Sequence, residues 1–415
     1  MAAAETQPFA PRFEAERELL DRTYEQARNL ILPGDFVDYA TRIAEVYRPS
    51  GTVSYTLGTE IERIITESGI DSGILDFHQD DRDTGNPRIV VNGSVDPRAR
   101  RPHFILSHGD EISGVITTNG RSEAKVTPIY DHKQLGIEYP GAVLRYIETN
   151  LGEQRLEVIS RGMIVTDSGG EISFTTQRGP NGQLAVGDRV VFDPDPRLQE
   201  YQEILEGQID NTIGVAISIS SALALAEIIR QNPGLYRNFS ATFIFDDYEE
   251  GNPGGLFGGG AKNLAQVNLR DPKLAQSIYI VCDGHSVLST EPKESVSDRR
   301  LKSVSGALIA ATVSSGKGLI LQPDSQFRLD YLIDLVRGRE GLVYYDGEMG
   351  ALTSRSSENG LRYGGVPDQN IRVMGFGATD FHHVDGRTAR ASLSSAVETA
   401  RFATVMSVAA SKDLL

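Results

Sequence analysis

The chain has 415 residues, of which 39% are hydrophobic and 24% charged, and a formal net charge of −16 at pH 7. This composition is typical of a soluble globular protein with two or three domains. The negative charge argues against nucleic acid or an anionic membrane as a partner. A single cysteine, Cys282, excludes an internal disulfide. Since the first residues also lack the pattern of a secretory signal, we expect a cytoplasmic protein.

The N-terminal part of the chain is predicted to be helical. Residues 11–48 carry apolar side chains at roughly helical spacing, and Pro33-Gly34-Asp35 divides them into two helices. We expect these helices to form an extension over residues 1–50. A third helix is predicted from Gly58 to Ser68, and a strand over 87–93.

A β-rich module is predicted inside an α/β domain. From Val115 to about Asp195, short β-rich segments alternate with Gly, Asn and Pro. We therefore expect a small barrel-like domain over 115–199, inserted into a domain formed by 51–114 and 200–415. A loop is expected over 194–207, before the α/β pattern returns.

The C-terminal half alternates between predicted helices and predicted strands. Helices are expected at 212–231, 260–265, 324–338 and 393–410, and strands at 241–245, 278–282, 307–314 and 371–375. The most apolar stretch, 212–229, contains three serines and a glutamate, so we predict a buried helix and not a membrane span. The predicted fold class is α/β, with a mixed sheet sandwiched by helices and a small inserted β-barrel.

Histidines and carboxylates recur just past the ends of the apolar runs. Such runs are typical of buried strands, and in open α/β sheets ligands bind beyond the carboxyl ends of the strands. Four runs lead to candidate ligands, in the segments His108-Gly109-Asp110, Asp246 to Glu250, Asp283-Gly284-His285 and Asp380 to His383. Imidazoles and carboxylates at one edge are typical of a metal site, so the pattern predicts metal-assisted hydrolysis.

Several of these residues also have a structural interpretation. His108 could cap a loop at a strand end, and Asp210, before the apolar helix, is a preferred N-cap residue. Glu249 and Glu250 could belong to a solvated acidic loop. For Asp283, which directly follows an apolar run, a metal ligand is favoured over a structural hydrogen bond.

The adjacent histidines His382 and His383 are predicted to contribute only one ligand. The reason is that neighbouring residues on a strand point to opposite faces.

The order of these residues resembles the co-catalytic two-metal aminopeptidases, and most closely the tetrahedral (glutamyl/leucyl-type) aminopeptidase family. Three regions carry the resemblance: LSHGDEI at 106–112; VGDRVVFDP at 186–194 with GQIDN at 207–211; and FDDYEE at 245–250 with GGGA at 258–261. The predicted barrel falls at the place of the family's inserted domain. The resemblance covers roughly residue 50 to the C-terminus.

The resemblance implies a zinc-exopeptidase-like fold and an aminopeptidase that acts on short peptides or small amides. It implies two divalent ions per chain, with zinc favoured and cobalt or manganese as alternatives. Glu249 would be the general base, and Asp110 would orient His108. The implied ligands are His108, Asp210 as the bridge between the ions, Glu250, Asp283 and His382, with His383 as the alternative to His382. The family's oligomers also imply a homo-oligomer through the inserted domain.

The sequence departs from the family pattern around the implied ligands. Thr212 stands where an arginine is common, the Thr-Asp pair usual before the last strand is replaced around 354–359, and Gly386 stands where an acid is common. Two other functions therefore stay open: a two-metal amidohydrolase acting on a non-peptide amide, and a catalytically inactive relative used for binding or assembly. A structural metal module is a third alternative, and it predicts unfolding on chelation. We also predict that Asp246 and Asp247 help to bind the substrate amine.

Overall fold

The computed structural model describes residues 10–93, 102–118, 123–128, 138–148, 154–167, 170–176, 184–251, 258–290, 295–310, 321–337, 342–353 and 356–415. Within these residues the chain forms a large mixed sheet, with helices on both faces, and a small closed barrel. The predicted fold class is therefore confirmed.

The centre of the large sheet is a set of buried parallel strands. In spatial order these are β12 (Ser240–Asp246), β3 (His103–His108), β13 (Tyr279–Val287) and β17 (Ile371–Thr379). Their residues are mostly apolar and almost wholly buried, as in strands covered on both faces. Because they run parallel, their carboxyl ends meet at one edge of the sheet.

Antiparallel strands extend the sheet on both sides. On one side lie β2 (Arg88–Asn92) and β1 (Leu75–His78); on the other lie β18 (Ala389–Ser392), β11 (Ile204–Gly207) and β10 (Leu198–Tyr201). The short strands β14 (Ala307–Ile309), β15 (Val343–Tyr345) and β16 (Ala351–Thr353) pair with β17, β14 and β13, respectively. Of the strand predicted over 307–314, residues 311–314 lie outside the described residues.

The prediction of a loop over 194–207 is wrong, because β10 and β11 form a hairpin there. Gln202 and Glu203 make its two-residue turn, with φ of 51° and 67°. Such turns are usually recognised by Asn-Gly or Asp-Gly, whose residues adopt positive φ easily. Gln-Glu carries no such signal.

Helices cover the two faces of the sheet. One face holds α1 (Ala10–Leu30), α2 (Pro33–Ala44), α3 (Leu57–Glu67), α4 (Thr212–Gln231), α7 (Pro323–Arg337) and α9 (Leu393–Ser411). The other holds α5 (Gly259–Leu269) and α8 (Ser357–Gly364), and the short α6 (Asp298–Ser303) packs with β14 and β16.

Helix α4 is the core helix that the sequence predicts. By length and composition it could cross a membrane, but 89% of its most apolar window is buried inside the protein. Two of its serines are paired there: Ser218 Oγ is 2.8 Å from Ser107 Oγ, and Ser221 donates to the carbonyl oxygen of Ala400. Its composition therefore reflects burial between the sheet and α9.

The closed barrel follows β3 in the chain and has six strands. Around the barrel these are β4 (Ser113–Ile116), β5 (Glu123–Pro128), β8 (Ile172–Thr176), β7 (Gln154–Thr166), β6 (Glu138–Glu148) and β9 (Arg189–Phe192). Phe174 fills its interior. Asp193, just after β9, ties the barrel to the rest of the chain, because it accepts hydrogen bonds from Tyr47 at 2.8 Å and Arg197 at 3.2 Å. The exact domain boundaries stay a prediction.

Candidate metal centre

The candidate ligands meet at the carboxyl edge of the parallel strands. His108 is the last residue of β3, and Asp283 lies in β13, which continues beyond it to Val287. Glu249 and Glu250 follow β12, Asp210 precedes α4, and His382 lies in a 3-10 helix, Phe381–Gly386, after β17. The chain thus brings together residues that are up to 274 positions apart (382 − 108).

Asp210 lies at the middle of the cluster, between two imidazoles. Its Oδ1 is 3.0 Å from His108 Nε2, and its Oδ2 is 3.0 Å from His382 Nε2. The N-cap of α4 is the next residue, Asn211, whose Oδ1 accepts from the backbone N–H of Gly214 at 2.9 Å. Asp210 is therefore not the cap, and its two oxygens face the two histidines.

The remaining carboxylates complete two adjacent groups of ligands. His108, Asp210 and Asp283 place one ligand atom each within 4.8 Å of one another, and so do Asp210, Glu250 and His382. The two groups share only Asp210, and each contains one imidazole and two carboxylates. Mixed nitrogen and oxygen ligands of this kind suit zinc, cobalt or manganese.

Glu249 lies beside both groups. Its Oε2 is 4.0 Å from His108 Nε2, and a third group that meets the same distance limit contains His108, Glu249 and Glu250. Glu249 could therefore act as a base next to a bound metal ion, or as a ligand.

The buried carboxylates are costly without a cation. Burial, together with repulsion from neighbouring carboxylates, holds the pKa of Glu249 and of Glu250 well above the usual range and raises that of Asp283 to about 7. Glu250 Oε1 is buried and has no hydrogen-bond partner within the described residues. A divalent cation would satisfy this atom and offset the repulsion, so the residues fit a metal.

The imidazoles already supply part of this compensation. Burial alone would raise the pKa of Asp210. The hydrogen bonds with His108 and His382 outweigh this effect, so the pKa lies below its usual value. Burial likewise opposes a charge on His108, but Glu249, Asp110 and Asp210 together raise its pKa well above the usual value.

Asp110 contacts the residues that form the centre and holds them in position. Its two carboxylate oxygens accept from the backbone N–H groups of Glu249 and Glu250, both at 3.2 Å. The Nδ1 atom of His108 is 3.1 Å from the backbone carbonyl oxygen of Asp110 and 3.5 Å from its Oδ1. Asp110 thus fixes the loop after β12 through its carboxylate and the ring of His108 mainly through its backbone carbonyl, which is how an orienting residue acts.

The two adjacent histidines have different surroundings. His382 faces Asp210, whereas His383 is buried, stacks on Tyr139 with ring centroids 4.2 Å apart, and has its Nε2 3.3 Å from Gln208 Oε1. Only His382 faces the candidate centre, and that just one of the two is a ligand stays a prediction. The reason given for it was wrong, because both lie in a 3-10 helix and not on a strand.

Replacing His382 should weaken metal binding, whereas replacing His383 should lower stability. His382→Ala should weaken metal binding by about 100-fold or more, since losing even a supporting residue costs 10–100-fold. His383→Ala should leave metal binding nearly unchanged and lower the free energy of unfolding by about 1–3 kcal/mol. Elemental analysis and urea unfolding of both variants check this; metal loss in His383→Ala alone would contradict it.

Asp246 and Asp247 do not face the centre. Asp246 accepts from Ser357 Oγ at 2.8 Å, and Asp247 accepts from the backbone N–H groups of Gly51 at 2.8 Å and Val53 at 3.2 Å. Both are buried, and burial raises the pKa of Asp246 to about 7 and that of Asp247 to about 8. The predicted role in amine binding is therefore not supported: both carboxylates hold the chain around the site.

Two residues that the sequence analysis did not single out also lie near the centre. Ser50 Oγ donates to Asp110 Oδ2 at 2.6 Å. Arg48 is fully buried, and its Nη2 donates to Thr212 Oγ1 at 2.7 Å. A guanidinium from elsewhere in the chain thus lies beside the position where the resembled family has arginine. Neither residue belongs to a recognisable motif, and both fall at the predicted end of the extension.

No family model and no curated protein matches the sequence, but solved structures match the fold. An aminopeptidase from the archaeon Desulfurococcus kamchatkensis has a TM-score of 0.62 at 16% identity, covering 90% of this chain and 94% of that chain. A TET aminopeptidase from a marine sediment thaumarchaeon has a TM-score of 0.65 at 11% identity, covering 92% and 99%. The Pyrococcus horikoshii TET1 peptidase has a TM-score of 0.59 at 12% identity, covering 90% and 99%.

The chain has the fold of the tetrahedral aminopeptidases. The likeness extends over nearly the whole length of both chains, so the zinc-exopeptidase-like fold expected from the motifs is confirmed. Sequence identity is low, as the departures around Thr212 already indicated.

Proposed function

We propose that the protein is a metal-dependent aminopeptidase that removes N-terminal residues from peptides. The observation that supports this most is the position of Asp210, whose two oxygens each lie 3.0 Å from a different imidazole. A carboxylate with one oxygen toward each of two ligand groups suits a dinuclear site. The aminopeptidase neighbours with the same fold support the choice of reaction.

In this proposal His108, Asp210, Glu250, Asp283 and His382 hold two divalent ions, zinc being favoured. Bound ions would polarise the amide carbonyl of a substrate and favour ionisation of a water molecule. Glu249 would take the proton of that water and return it to the leaving amine, a role that needs an ionised carboxylate, which nearby cations would favour. Asp110 keeps His108 and the Glu249 backbone in position.

We also propose that the protein is a homo-oligomer through its barrel. The Pyrococcus TET1 peptidase can assemble into a tetrahedron or a large octahedral shell. In the barrel of this chain, Tyr146, Ile147 and Val186 are 41%, 37% and 65% exposed, and exposed apolar groups of this kind suit a contact between copies.

The first experiment measures the metal content of the purified protein and its activity on aminoacyl amides with free or acetylated amines. We expect two ions per chain and hydrolysis only of the free-amine substrates. Hydrolysis only of the blocked substrates would instead indicate an amidohydrolase acting on non-peptide amides. Failure to bind metal even after supplementation would contradict the proposal and favour an inactive binding protein.

Metal binding should release protons at pH 7. The pKa values of Glu249, Glu250 and His108 are raised in the metal-free site, so protons must leave when cations bind. The metal affinity should therefore rise with pH, by about tenfold per pH unit for each proton released. Calorimetric titrations in buffers with different ionisation enthalpies count these protons. An affinity that does not change between pH 6 and 8 would show that the site is already fully ionised.

A further inference from the structure

A cavity lies at the edge of the sheet opposite the candidate metal centre, where the parallel strands begin. Its volume is about 910 Å³, which is in the range of small-molecule sites. Its lining includes His103 at the start of β3 and Arg372 near the start of β17. Because His103 and His108 are the two ends of β3, the cavity is roughly 17 Å from the candidate metal centre at about 3.3 Å per residue.

The register of the strands places His103 and Arg372 on the same face of the sheet. Ile105 pairs with Ile280, and Ile280 pairs with Arg372, so these three side chains share a face. His103, two residues before Ile105, points to that face as well. The imidazole of His103, whose pKa is lowered to about 3 by burial, and the guanidinium of Arg372 therefore project toward the same end of the molecule.

Three buried polar side chains of the cavity have atoms without a hydrogen-bond partner among the residues described. They are both ring nitrogens of His103, Nε of Arg372 and Oγ of Ser277. The exposed fractions of these residues are 2%, 2% and 1%. Buried polar groups are almost always paired in folded proteins, so three such groups around one cavity indicate a site for a polar ligand.

The charges around the cavity favour an anion. Arg372 Nη1 donates only to neutral carbonyl oxygens in the described part of the chain, those of Gln369 at 2.8 Å and Ile371 at 2.9 Å. Burial and the neighbouring guanidinium of Arg328 lower the pKa of Arg372 to about 10, so it is still charged at neutral pH. A desolvated cation beside a like charge is stabilised by an anion.

Helix α7 adds a positive electrostatic potential. It begins at Pro323, and its first three residues line the cavity. The N–H groups of a helix's first turn and the helix dipole favour anions at this end. Asp324 and Asp413 also line the cavity, and Asp413 is 3.8 Å from Arg12. Their charges disfavour a polyanion and select a ligand with few negative charges.

We propose that this cavity binds a small anion carrying a phosphate or carboxylate group, held by Arg372, His103 and the first turn of α7. The guanidinium fork matches two oxygens of either group. His103 and Ser277 supply the further hydrogen bonds that their unpartnered atoms can make. The site uses none of the residues of the metal centre, so this proposal is independent of the peptidase activity.

The test is calorimetric titration of the purified protein with inorganic phosphate and, separately, with succinate, at constant ionic strength in chloride. We expect saturable binding of at least one probe, and the preferred probe identifies the group. Arg372→Lys should weaken this binding by about tenfold, because lysine lacks the fork. The control Arg63→Gln removes an exposed charge from α3 and should bind as the wild type does.

A second variant keeps the test decisive if Arg372→Lys does not fold. His103→Leu removes two unpartnered nitrogens from a buried position, so it should weaken anion binding several-fold while raising the midpoint of thermal unfolding. A residue with a purely structural role would instead lower that midpoint. Anion binding that is unchanged in His103→Leu and in any folded Arg372→Lys, or no saturable binding of either probe, would overturn the proposal.

Discussion

Replacing Glu249 with Gln should lower kcat by about 10³-fold while both metal ions stay bound. The substitution keeps the size of a side chain that is only 11% exposed, but it removes the group that accepts a proton. The carboxylate of Glu249 is 4.0 Å from His108 Nε2, further than the 3.0 Å that separates Asp210 from the same atom. Elemental analysis measures the metal content of the variant, and single-turnover rates of peptide hydrolysis measure its chemical step. Together they show whether Glu249 is the base or a metal ligand.

The matched control for this variant is Glu398→Gln. Glu398 is also buried, but it lies in α9 and accepts a hydrogen bond from Tyr24 at 2.9 Å, away from the metal centre. We expect it to cost stability and leave kcat unchanged. If Glu249→Gln loses a metal ion, Glu249 is a ligand and another group must serve as the base.

The sequence could predict where the centre lies because its chemistry follows the strands directly. His108 ends a strand of buried apolar residues, and Glu249 follows β12 by three positions. Parallel strands put such residues at one edge whatever the details of their loops. An apolar run followed directly by a polar residue is a local pattern, and a local pattern can be recognised in a single sequence.

The directions of individual side chains could not be predicted in the same way. Four carboxylates occur between Asp246 and Glu250, and only the last two face the ligands. Tyr248, with φ of 60°, turns the chain between the two pairs. Asp247 is held by backbone N–H groups at Gly51 and Val53, almost 200 positions away. These contacts are tertiary, and the acidic run itself has no periodicity that indicates them.

The same holds for the histidine pair and for the N-terminal segment. His382 and His383 have φ of 60° and 54°, which a strand pattern does not anticipate. The contact of Arg48 with Thr212 joins residues 164 positions apart. The motif shows only that Thr212 stands where an arginine is common, whereas the guanidinium that contacts Thr212 comes from a distant segment outside the motif.

Replacing Asp210 with Asn should remove both metal ions together. Asparagine keeps one oxygen, but the lone pair of its amide nitrogen is delocalised into the carbonyl and is not available to a cation, so one of the two ligand groups loses a ligand atom. The lost charge weakens the other ligand group as well, because both groups contain Asp210. We expect binding of each ion to weaken by about 100-fold or more, as loss of a direct ligand should exceed the 10–100-fold cost of losing a supporting residue. Metal titrations followed by mass spectrometry of the folded protein resolve the two steps.

Asp247→Asn is the matched control for Asp210→Asn. Asp247 is buried close to the same loop, but its oxygens accept from the backbone and do not face the histidines. Its pKa of about 8 means that a neutral side chain already suits this position at pH 7. We expect it to keep both ions. If Asp210→Asn loses one ion and keeps the other at the wild-type affinity, Asp210 does not bridge the ions. The two ligand groups would then bind metal independently. The position of His108 and His382 on the two oxygens of Asp210 would in that case not reflect a shared ligand.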